Sequence, residues 1–132
     1  MKNPKFWVAV LAAGVVANII DMVVMGMMLA PTFASIPSMR QGVNPVWYVI
    51  GDFLAVFVFT LVYDRVHSSF AAGPLGGATF GAYAGLLVSF PTWIFIHLMV
   101  VDFPIGLACG LTAYGILWGV VVGYVIGALL KK

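Results

Sequence analysis

The stretch FWVAVLAAGVVANIIDMVVMGMMLA, residues 6–30, decides how the chain is read. A helix rises about 1.5 Å per residue, so about 20 mostly apolar residues in helical form cross the hydrocarbon of a bilayer. This run is long enough, and Asn18 and Asp21 are its strongly polar side chains. Lys2 and Lys5 precede it, as basic residues precede a secretory signal, but the apolar core of such a signal spans roughly 7–15 residues. Phe6 to Ala30 is longer than that and carries an acid, so it reads as a spanning helix that is kept.

Three more runs have the same character: about Val46–Val66, Pro74–Met99 and Pro104–Leu130. The breaks between them are helix punctuation. Pro31 follows the first span, Asn44-Pro45 opens the second as cap and first turn, Gly73-Pro74 opens the third, and Asp102-Phe103-Pro104 opens the fourth. The whole chain, 132 residues, is 64% hydrophobic and 8% charged. A soluble domain carries about 25% charged residues, so this chain cannot cover a water-facing surface with its own charges. The expected fold is all-α, a single four-helix transmembrane domain over residues 1–132 forming an antiparallel bundle.

The same composition sets aside several functions. Basic residues are too few and scattered for a nucleic-acid interface. Cys109 is the sole cysteine, so no internal disulfide forms. GPLGG at 73–77 lacks the Lys-Ser/Thr of a phosphate-binding loop, and no zinc-type motif occurs. No enzymatic chemistry and no metal site are expected.

Charge gives the expected orientation. Lys2, Lys5, Arg65, Lys131 and Lys132 fall on one side of the membrane and Arg40 on the other. Basic residues concentrate on the cytoplasmic side, which puts both termini there, with Trp7 at the inner interface and Trp47 and Tyr48 at the outer one. Asp21 then lies roughly 13 Å below the outer end of the first helix, and Asp52 roughly 10 Å below the outer start of the second. His97 and Asp102 belong to the same outer half. Asp64, Arg65 and His67 gather at the inner surface.

Two glycine ladders predict the packing. Gly73, Gly77, Gly81 and Gly85 recur every four residues in the third span, with Ser89 continuing the line. The fourth span carries Gly106 and Gly110, then Gly115, Gly119, Gly123 and Gly127. Small residues at this spacing bare the backbone along one face, so a second helix can approach closely. The third and fourth spans are expected to cross tightly, or one of them to form a seam between subunits. Pro91 interrupts the third span, where it acts as a kink or opens a polar pocket facing the acids.

Gly14, Asn18, Asp21, Met25 and Met28 step by four and three along one face of the first helix. An intramembrane acid costs about 2.5–3.5 kcal/mol at a helix centre, so Asp21 needs a partner or a role. It is a polar contact to a neighbouring helix, an ion or proton carrier together with Asp52, or a subunit contact, and Asn18 would orient it. His97 is a candidate ligand for haem or chlorophyll, although no cofactor is expected. Asp102 reads as the N-cap of the last helix, and Arg40 as a base for Asp52 or Asp102. Cys109 reads as a small packing residue, and the methionines of MVVMGMML as filler.

The pattern AGVVANIIDMVVMGMML, the chain length and the glycine-rich last span resemble small four-helix bacterial inner-membrane proteins of an uncharacterised family. That resemblance implies the bacterial inner membrane and assigns no site residue. The leading expectation for function is an accessory or structural subunit, acting through helix contacts with copies of itself or with other membrane subunits. The alternative is a small proton- or cation-coupled transporter or channel built on Asp21 and Asp52. A pigment-bearing subunit is third.

Overall fold

A computed structural model describes residues 3–38 and 42–130. Among these the secondary structure is entirely helical: α1 (Pro4–Val23), α2 (Ala30–Ala34), α3 (Pro45–Val66), α4 (Pro74–Met99) and α5 (Ile105–Leu130). Four helical stretches, Pro4–Met28, Pro45–Ser69, Pro74–Met99 and Ile105–Leu130, are long and apolar enough to cross a membrane. They pack as a bundle. One end carries the start of α1 and the end of α5, and the other carries the 29–44 and 100–104 connections; these are called the terminal end and the loop end below.

The starts of α1 and α3 follow local rules. The Asn3 side chain accepts from the Lys5 backbone N–H at 2.9 Å, and Asn44 accepts from Val46 at 3.0 Å, each with proline in the first turn. The Gly73 backbone turns at φ 80°, a conformation that favours glycine, before Pro74 starts α4. Four threonine hydroxyls within the helices bond back to their own helix, which suits a lipid surrounding. Thr60, Thr79, Thr92 and Thr112 each donate to the carbonyl four residues earlier.

α4 and α5 make the closest pairing. A Cβ added to Gly77, Gly81 or Gly85 would run into the backbone of Gly123, Gly119 or Gly115 in turn; the reverse additions at Gly119 and Gly123 collide likewise, and one at Gly115 meets the Ser89 side chain. The ladder of α5 is shorter than its spacing implies, however. Gly106 and Gly110 have no heavy atom within 4 Å of an added Cβ, and Cys109 between them is exposed rather than packed. They lie on the side of α5 turned away from the bundle.

α1 packs against both α3 and α5. At the terminal end Phe6, Ala9, Val10, Ala13 and Ala17 of α1 join Val56 and Tyr63 of α3, Phe80 of α4 and Val122 and Ile126 of α5 in one apolar cluster. Between α3 and the α4–α5 pair the contact is aromatic, with Phe59 edge-on to Phe80 and Trp118. A second cluster closes the loop end, built from Ile36, Phe103, Ala108 and Leu111 with Met25, Phe33 and Trp93 around them.

The first span departs from one regular helix. α1 gives way to a π-helical turn over Val24–Met28, closed by Leu29 N–H donating to the Val24 carbonyl at 2.8 Å. The i→i+5 bond adds a residue to the turn. The face predicted to run on to Met28 therefore rotates away, and Met28 is 68% exposed. Pro31 follows the span, as expected, and sits in the first turn of α2, where its missing N–H is harmless. α4 continues through Pro91 without a break. Trp93, Ile94 and Ile96 beyond it pack into the loop-end cluster.

Candidate functional site

The polar centre of the molecule lies between the two apolar clusters. On α1, Asp21 stands one turn beyond Ala17 of the terminal-end cluster and one turn before Met25 of the loop-end cluster. α5 repeats the arrangement, with Tyr114 falling between Leu111 and Trp118. The Tyr114 hydroxyl donates to Asp21 Oδ1. From α3, the Asp52 carboxyl comes close enough to Asp21 for the two to interact. Three helices thus bring two carboxyls and a phenol together at one depth, with all three residues only partly buried.

The chemistry of this contact is constrained. An ionised carboxylate only accepts hydrogen bonds, so a bond between two carboxyls requires a proton on one of them. Tyr114 supplies a second donor, directed at Asp21. The basic side chains described in α1 and α3, Lys5 and Arg65, lie at the terminal end, away from the pair. A proton on one of the two would let them bond to each other.

The Asn18 Nδ2 donates to the Gly14 carbonyl at 2.8 Å, one turn back on its own helix, a bond that the sequence does not announce. Gly14 in turn receives the ring of Phe53, the residue next to Asp52. α3 is bare above this point, with every residue of Pro45–Gly51 exposed.

At the loop end, His97 Nδ1 lies 2.7 Å from the Phe103 carbonyl, so the ring is tied to the α4–α5 turn. Asp102 does not cap α5. Its carboxylate accepts from Ser38 Oγ at 2.6 Å and Ser38 N–H at 3.2 Å, clasping the connection after α2 to the α4–α5 turn. The Ser38 hydroxyl bond, reinforced by the Ser38 N–H, holds the Asp102 carboxyl below the usual carboxylate range. Phe103 stacks on Trp93 beneath this clasp, with centroids 6.0 Å apart. The base expected for Asp52 or Asp102, Arg40, lies outside the described residues. At the terminal end, His67 Nδ1 lies 2.8 Å from the Asp64 carbonyl. Among the described residues no three His, Cys, Asp or Glu side chains cluster as metal ligands.

Tyr114 is the residue that reading the sequence missed. The available signal was its depth: it lies roughly 13 Å along α5 from the loop end, matching Asp21, on a face other than that of Gly115, Gly119, Gly123 and Gly127. No family model, curated protein or solved structure matches this chain.

Proposed function

We propose that the chain is a non-enzymatic, multi-pass protein of a bacterial inner membrane that binds and releases a proton at Asp21 and Asp52. One observation carries this reading: Asp21, Asp52 and Tyr114 converge from three helices inside an apolar bundle. Ionisable residues in spanning helices are costly and mark ion or proton pathways. The glycine ladder, which first favoured a subunit-contact role, is spent inside the chain between α4 and α5. Both termini are proposed to face the cytoplasm, on the Lys and Arg distribution. Four helices rarely enclose a pathway alone, so the working form is proposed to be a homo-oligomer.

Reconstituted vesicles loaded with a pH-sensitive dye test this under an imposed potassium diffusion potential. Wild type moves protons, while Asp21→Asn and Asp52→Asn, which keep shape, do not. Equal fluxes in all three would rule the reading out. A second reading, an accessory subunit of a larger membrane complex, is supported by the bare turns Pro45–Gly51. The native mass after gentle solubilisation separates the two: co-purifying chains favour the subunit, a small homo-oligomer the proton carrier.

A further inference from the structure

We propose that Gly14 and Phe53 are the positioning residues of the carboxyl pair, because their contact fixes how closely Asp52 approaches Asp21. This inference rests on the proton-site reading and adds the device that sets its spacing.

α3 is anchored on one side of the acid pair and bare on the other. Below the pair, Val56, Thr60 and Tyr63 are fully buried and hold α3 to the bundle. Above it, Pro45–Gly51 is exposed throughout. Next to Asp52, the Phe53 ring packs against Gly14 of α1. A Cβ added at Gly14 would fall inside the van der Waals radii of Phe53 Cδ1 and Cε1, and 3.3 Å from Cγ. The ring therefore rests on bare α1 backbone, at a place where any other residue would hold it off.

The same face of α1 carries Asn18 and Asp21 one and two turns on. The closeness of α3 to this face at Gly14 thus sets the closeness of Asp52 to Asp21. Phe53 also lines an apolar groove, together with Trp7, Val10, Ile50, Leu54 and Phe57. A displaced ring has room to swing into it, so a small side chain at Gly14 loosens the pair without unfolding the bundle. Gly51 supplies the control. It also adjoins Asp52, but nothing lies within 4 Å of a Cβ added there.

The test is a pH titration of reconstituted protein, read in the carboxylic C=O region of the infrared spectrum. Interacting carboxyls take up their protons in steps separated by more than about one pH unit. Wild type and Gly51→Ala should show this separation. Gly14→Ala should bring the steps to less than about one pH unit apart. Adding Phe53→Leu to Gly14→Ala should restore the separation, by returning the volume the methyl took. Phe53→Ala alone, which introduces no clash, should narrow it as well. Unchanged steps in both Gly14→Ala and Phe53→Ala, with separated steps in wild type, overturn the positioning role and leave the site reading standing. Collapse in Gly51→Ala also overturns it. Unseparated steps in wild type overturn the pairing and this inference together.

Discussion

The α4–α5 seam gives a sharp prediction for Gly77→Ala. A Cβ there lies 2.9 Å from the Gly123 carbonyl carbon and 2.9 Å from Gly127 Cα, and nearer still to the Gly123 oxygen, where ordinary contact begins at 3.4 Å. The helices must therefore part by at least about 0.5 Å, on those carbon contacts alone. Overpacking of this kind costs about 1–3 kcal/mol. The upper end applies, because both surfaces are helix backbone and no flexible side chain can yield. Gly110→Ala on the same pair of helices meets open space. It should gain up to about 1 kcal/mol from helix propensity. Unfolding by SDS titration in mixed micelles should thus separate the two variants by about 3 kcal/mol, with Gly77→Ala the less stable. Equal stabilities would refute the close backbone approach.

Further predictions concern the polar groups. Tyr114→Phe removes the donor to Asp21 and should cost about 1 kcal/mol in the same unfolding assay, and should reduce proton flux in vesicles. Asp102→Asn should release the clasp on Ser38, raising hydrogen exchange at the Ser38 amide. Because those bonds depress the Asp102 carboxyl, their contribution is fully present above the ordinary carboxyl range and is lost as pH falls through the lowered value; exchange at Ser38 should rise only there. If both termini are cytoplasmic, Ser38→Cys should react with an impermeant maleimide added outside intact cells. Labelling only after lysis would reverse the proposed orientation.

The fold was legible because hydropathy and helix punctuation act locally. Asn44-Pro45 and Gly73-Pro74 mark their helix starts on three or four residues of sequence alone. The site was half legible. Asp21 and Asp52 stand out because a carboxyl in an apolar run is costly wherever the chain places it. Their facing is a tertiary matter, which no periodicity reports. Tyr114 was missed because a tyrosine in a spanning helix costs little and draws no attention. The N-cap reading of Asp102 failed for a similar reason: Asp before Phe-Pro fits a cap, yet Ser38, distant in sequence, offers two donors at once. The register of Met28 was lost to the π-turn, whose extra residue leaves no trace in the spacing of apolar residues.

The most direct test of the central claim is infrared titration of reconstituted wild type beside Asp21→Asn and Asp52→Asn. If the two acids share a proton inside the bundle, wild type shows a protonated carboxyl band that responds to pH, and each single substitution removes or shifts the whole of it. A band that loses only an independent half in each variant, or no such band in wild type, would contradict the account.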